Sequence, residues 1–150
     1  MGFADDDSIN ELKRRFPNAV YINKKDQYQE RALSIFNSSQ ANEEPIGLHL
    51  KGTSFQMDIW KRLLQIPFGR LVSYSSLAGD LKKARATGTA IGDNPAGYLI
   101  PCHRVVRATG EFGHYYWGTD RKAALISWEA AVSNEKVLSK KRVFKQQPVG

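Results

Sequence analysis

Among 150 residues there is one cysteine, and there are only two methionines and three histidines. A single cysteine excludes an intrachain disulfide framework and is compatible with a reducing compartment. Cys102 with His49, His103 and His114 gives no zinc-ligand spacing, so neither a metal nor any other cofactor is expected. No run approaches the roughly 18 unbroken apolar residues of a membrane helix. The opening MGFADDDS is acidic where a signal peptide is basic, and Asp6 stands where N-myristoylation needs Ser or Thr. Internal repeats and low-complexity tracts are absent. The expectation is a cytoplasmic protein of one domain, or one domain with a small appendage, and not a membrane protein.

What is present is enough apolar residue for a core, 41%, and a net charge of +7 that is unevenly spread. Residues 1–50 hold six basic and eight acidic side chains, whereas residues 51–150 hold sixteen and seven. A polyanion is therefore the partner expected of the second part, nucleic acid ahead of an acidic membrane, with a merely solvated basic surface as the alternative.

The periodicity predicts an α+β fold. SINELKRRFP reads as a short helix with Ser8 and Glu11 as a capping box, Ile9, Leu12 and Phe16 on one face, and Pro17 beyond its end. AVYIN and IGLHL read as strands, QYQERALSIF as a helix, and NSSQANEEP as a polar connection. A boundary is expected near 50–52. TSFQMDIWKRLLQI is the strongest helix, capped by Thr53 and Gln56, with Phe55, Ile59, Leu63 and Ile66 facing the core. SYSSLAGDL and KKARATGTAIG suggest a helix-turn-helix. TDRKAALISWEAAV is a further helix burying Leu125, Trp128 and Val132, and the tail from Ser133 is expected to be loose.

The second helix of that pair is nearly bare: Ala84, Ala86, Gly88 and Ala90 carry little side chain. Small residues let a backbone come close to another surface, either a neighbouring helix or a groove of DNA into which Arg85 projects as a charged wedge.

Cys102 lies in LIPCHRVVRATG. Pro101 stiffens its support, and the charge or hydrogen bonding of His103 and Arg104 favours a reactive thiolate. In an extended chain neighbouring side chains point to opposite faces, so a tight helical turn or a bridging water must connect His103 to the sulfur. A third group should orient the histidine, and Glu129 is the candidate carboxylate. Each residue also has a plainer reading: a buried small cysteine, surface basic groups, aromatic filling in GHYYWG. A cysteine hydrolase using Cys102, His103 and Glu129 stays open, although no glycine run stands near the nucleophile to form an oxyanion hole.

The ordered set FQMDIWKRLLQIPFGRLVSYSSLA and TAIGDNPAGYLIPCHRVVRATGEFGHYYWGTDRKAALISWEA resembles the O6-alkylguanine-DNA alkyltransferase family over roughly 52–131. YYWGTDRK is closest to the alkyltransferase half of Ada-type members. The resemblance implies a partial, ribonuclease-H-like N-terminal part over 1–50, a helical, winged-helix-like DNA-binding and active-site domain over 51–133, and a basic tail over 134–150. It implies a monomer that turns an O6-alkylguanine (or O4-alkylthymine) out of double-stranded DNA and takes its alkyl group irreversibly on Cys102. His103 would act through a water, held by Glu129; Asn94 would brace the loop before the active site. Arg85 would fill the base stack, with Ala86 and Ala90 against the DNA. Tyr74 would lie near the flipped base and its phosphate, Tyr115 would donate to the departing guanine, and the Val105 backbone would meet the base edge. Trp117 would narrow the substrate pocket and disfavour benzylguanine. Relatives that bind alkylated DNA without repair replace the acceptor cysteine, which Cys102 argues against.

Overall fold

Thr53 and Gln56 start the helix on which the rest packs. The Thr53 hydroxyl accepts the Gln56 N–H at 3.2 Å, and the Gln56 side-chain oxygen accepts the Thr53 N–H at 2.8 Å. This reciprocal pairing satisfies two of the donors that every helix start leaves open. In the computed structural model, which describes residues 7–34, 36 and 46–144 with side chains as far as 134, this helix is the third of six. The elements are α1 (Ser8–Arg15), α2 (Gln27–Ser34), α3 (Ser54–Leu64), β1 (Val72–Ser73), α4 (Tyr74–Ala78), α5 (Ala84–Gly92), β2 (Val105–Val106) and α6 (Thr119–Phe144). Two single 3-10 turns, Leu81–Lys83 and Cys102–Arg104, complete them. The architecture is helix-rich α+β, with one parallel pair of two-residue strands, Val72 opposite Val105 and Ser73 opposite Val106.

The core gathers Ile59, Trp60, Leu63 and Ile66 from α3 and its end, Leu77 from α4, Ala90 and Ile91 from α5, and Ile100, Cys102 and Val105 from the following segment. Phe55, expected to face inward, is 38% exposed; Trp60 takes the stripe instead and donates its indole N–H to the Ala90 carbonyl at 2.8 Å. That bond ties α3 to α5 through a backbone acceptor. The Gln56 amide also reaches Asp93 at 2.9 Å, closing the end of the same interface.

α4 and α5 form the expected helix pair. Ser73 caps α4 by accepting the Ser76 N–H at 3.1 Å, the chain turns at Gly79, and Asp80 caps the 3-10 turn that leads into α5. On α5 the period of 3.6 puts Thr87, Ala90 and Ile91 inward and Arg85, Ala86 and Thr89 outward.

Several expectations are overturned. Neither AVYIN nor IGLHL forms a strand. Ile46, Leu48 and Leu50 do alternate inward with exposed Gly47 and His49, but no neighbouring segment offers a ladder among the described residues. Val20 is 88% exposed, and Tyr21 is held by its hydroxyl, within bonding distance of the Leu12 and Phe16 carbonyls at 2.7 and 2.8 Å. Asp7, one residue before Ser8, occupies the cap position of α1, and Glu11 pairs with Arg15 instead of closing a capping box. The tail from Ser133 is not loose: α6 continues unbroken to Phe144, while 145–150, like 1–6, 35 and NSSQANEEP (37–45), lie outside the described residues. Leu125, Trp128 and Val132 are only half-buried; among the described side chains of α6, the fully buried ones are Lys122 and Glu129. Two ionisable groups thus face the core seven residues apart on one helix stripe.

Candidate active site

Pro101 (φ −78°, ψ 64°) turns the chain into the 3-10 turn Cys102–Arg104, so the thiol does not sit on an extended strand. The turn brings three consecutive side chains into use. Cys102 is 3% exposed, and its sulfur accepts a hydrogen bond from the Asn94 amide at 3.1 Å. The same amide nitrogen donates to the Ile100 carbonyl at 2.8 Å, while the Asn94 oxygen accepts the Ala96 N–H at 3.0 Å. One buried side chain therefore staples the whole loop from 94 to 102 and touches the sulfur.

Behind the thiol, His103 is fully buried with its Nε2 2.7 Å from a Glu129 carboxylate oxygen. Arg104 forks onto both Glu129 oxygens at 2.9 Å and spends another nitrogen on the Ile66 carbonyl at 2.7 Å. The backbone N–H of Gly69 supplies a further bond to Glu129 at 3.0 Å. Gly69 is required there: its φ is +73°, and a Cβ would stand 2.1 Å from the Ser133 hydroxyl. Burial alone would raise the Glu129 carboxyl, but the bonds from His103, Arg104 and Gly69 outweigh it and bring it down to about 2. A carboxylate held ionised in this way orients the imidazole. Tyr98, itself at φ +65°, stacks on the imidazole with ring centres 5.3 Å apart and planes within 4°.

Burial pushes the Cys102 thiol up, opposed by the Asn94 bond, its own backbone N–H, the Lys122 charge and the Tyr115 hydroxyl. Lys122 is a residue that sequence reasoning missed. It is fully buried, its ammonium donates to the Val105 carbonyl at 2.6 Å, and no carboxylate pairs with it among the described residues. Desolvation lowers it to about 8, and the neighbouring Cys102 charge acts in the opposite direction. The rings of Tyr74 and Tyr115 lie 5.9 and 6.0 Å from the ammonium. The available signal was its spacing: Lys122, Leu125, Glu129 and Val132 recur on one helical face, so a lysine shares the stripe of the candidate carboxylate. Arg104 as the partner of Glu129, and Tyr98 as the partner of His103, were likewise not anticipated.

A cavity of about 700 Å³ opens over the sulfur. Its wall includes Tyr74, Arg85, Gly88, Arg107 and Tyr115, and Arg15 from α1. Four of the expected site residues thus share one wall: Cys102, Tyr115, Tyr74 and Arg85. His103, Glu129 and Asn94 stand behind it. Ala86 is exposed on the outer face of α5. Ala90 is not at a DNA-facing position: it is buried against Trp60, because the helical period turns it half a circle from Ala86. Val105 and Trp117 do not line the cavity either. Val105 is fully buried with its carbonyl taken by Lys122. Trp117 turns toward Gly97, where a Cβ would come within 2.8 Å of the indole, so it packs on the loop and does not narrow the pocket.

A family model described as "6-O-methylguanine DNA methyltransferase, DNA binding domain" matches residues 54–131. The chain is 39% identical over 133 residues to the Escherichia coli (strain K12) "Bifunctional transcriptional activator/DNA repair enzyme Ada", covering 84% of this chain and 38% of that protein. It is 33% identical over 128 residues to the inducible "Methylated-DNA--protein-cysteine methyltransferase" of Bacillus subtilis (strain 168), covering 82% of this chain and 72% of that one. The crystal structure of Mycobacterium tuberculosis OGT in complex with DNA superposes with a TM-score of 0.63 at 38% identity, over 69% of this chain and 66% of that one. The chain thus spans less than half the length of the Ada relative and about two thirds of the mycobacterial structure.

Proposed function

The chain belongs to the 6-O-methylguanine DNA methyltransferase family, and from that membership we propose that it repairs duplex DNA by moving an alkyl group from O6-alkylguanine to Cys102, once per molecule. The observation that carries this reading is the placement of one sulfur in the wall of a cavity bordered by Arg15, Arg85 and Arg107, with a His103–Glu129 pair behind it.

The lesion's carbon is unreachable inside a duplex, so the nucleotide must leave the stack at a cost of a few kcal/mol. Arg85 would fill the gap, a reading supported by its exposure on the outer face of α5, and the basic 51–133 segment would hold phosphates. Tyr74 and Tyr115 border the space the base would occupy. The Cys102 proton passes to the imidazole of His103 through water, and Glu129 stabilises the resulting cation. Lys122 favours the thiolate from the other side. The sulfur then attacks the alkyl carbon in line: the C–S bond forms, the C–O bond breaks, and the electron pair leaves on guanine O6. The proton given up by the thiol returns to guanine, with the Tyr115 hydroxyl as donor beside the leaving group. No redox partner is required by this balance. A thioether does not hydrolyse under ordinary conditions, so the event is terminal.

Residues 51–133 are proposed as the winged-helix-like unit that binds DNA and holds the thiol. The ribonuclease-H-like reading of 1–50 rests on the resemblance alone, since no strand forms among its described residues. A cytoplasmic monomer is the proposed setting; no helix among the described residues is long and apolar enough to cross a membrane.

Intact mass after mixing with O6-methylguanine duplex tests the reading. One permanent methyl per chain, absent in Cys102→Ala, is expected. Repeated turnover with an unmodified protein would instead indicate a cysteine hydrolase, and binding with no mass change a recognition module.

A further inference from the structure

Among the described residues, Arg15 is the one cavity-lining residue that comes from outside 51–133. It ends α1, and two contacts hold it in place. Its Nε donates to Glu11 at 3.1 Å, one helical turn back, and its guanidinium carbon lies 5.2 Å from the ring centre of Tyr116, another wall residue. The side chain keeps a third of its surface exposed. Only Nε is used, so among the described residues both terminal nitrogens are without a partner. A guanidinium anchored through Nε beside a ring, with both terminal nitrogens unused, can offer two bonds to a phosphate. The rest of the wall matches: Arg85 and Arg107 are cations, and Asp93 is the one carboxylate among the lining residues.

We propose that Arg15 grips a backbone phosphate of the strand whose nucleotide enters the cavity, making α1 part of the substrate site. This rests on the function proposed above. It assigns a role to the N-terminal segment that neither the family match at 54–131 nor the charge balance of 1–50 contains. The alternative is that Arg15 only fastens α1 to Tyr116.

Two measurements separate them. First, methyl transfer to Cys102 is timed with an O6-methylguanine duplex and with free O6-methylguanine base, which has no phosphate. Arg15→Ala should slow the duplex reaction about tenfold relative to the free-base reaction, and Arg15→Lys should restore part of the difference. Second, duplex binding is titrated against salt in the Cys102→Ala protein, where no chemistry occurs. Adding Arg15→Ala should lower the log–log salt slope by about 1, whereas Arg14→Ala, exposed and paired with Asp7, should leave it unchanged. Equal slowing on both substrates, or an unaltered salt slope, overturns the proposal. If the native chain transfers from neither substrate, the repair reading fails, and the salt titration still decides Arg15.

Discussion

Lys122 is the residue whose chemistry is set most strongly by its surroundings. A buried lysine without a carboxylate is costly, and the lowered value near 8 expresses that cost. For this group the sign is fixed: the penalty is fully present below about 8 and is relieved as pH rises toward the ordinary 10.5. Its retention beside the thiol is explained by what it does to the sulfur. The rate of Cys102 alkylation by a small electrophile should climb with pH as thiolate forms, with the climb weakening above about 8 as Lys122 loses its proton. Lys122→Met should slow that reaction by about tenfold at neutral pH and remove the break in the profile. Glu129 has the opposite sign. Its carboxyl lies at about 2 against an ordinary 4.5, so its stabilisation is present above 4.5 and is lost as pH falls toward 2. Glu129→Gln should cost on the order of 3 kcal/mol at neutral pH, and the gap between the two proteins should close on acidification. Urea midpoints across the acid range measure both statements.

At the scale of elements, α5 sets helix stability against the DNA docking proposed for it. Gly88 sits in a helix interior, where alanine is better by about 0.5–1 kcal/mol. A Cβ there would meet only the Tyr74 ring, at an ordinary 3.9 Å. Gly88→Ala should therefore raise the melting temperature by a few degrees and still slow repair of duplex DNA several-fold, because in the proposed function the bare face is the one that approaches the DNA. If both rise together, α5 does not press on the duplex. The α3 cap gives a simpler expectation: Thr53→Ala should cost about 1 kcal/mol, read as a shift of the denaturation midpoint with unchanged slope.

Over the whole molecule, legibility followed locality. The Thr53–Gln56 cap, the α4–α5 pair and the grouping of Cys102, His103 and Glu129 were readable, since each depends on short spacing or on chemistry with few solutions. What was not readable depended on distant partners. Ala90 looked equivalent to Ala86 until Trp60 claimed its carbonyl from thirty residues away. Trp117 looked like a pocket wall until Gly97 offered it a closer seat. AVYIN has the composition of a strand, but a strand needs a ladder partner, and the pairing went instead to Val72 and Val105, which no alternation announced. Arg15 was invisible for the same reason: only the fold lays the end of α1 against Tyr116.

The short parallel bridge between Val72–Ser73 and Val105–Val106 has a mechanical consequence. One side of it leads directly into α4 and the α4–α5 pair; the other begins at the residue that follows the turn carrying the sulfur. The helix that would probe the duplex and the atom that would react with it are therefore bolted to a common frame. In the proposed reaction their separation would serve as a built-in gauge set by the bridge itself, so that a base displaced by one fixed stroke would arrive in line with its acceptor.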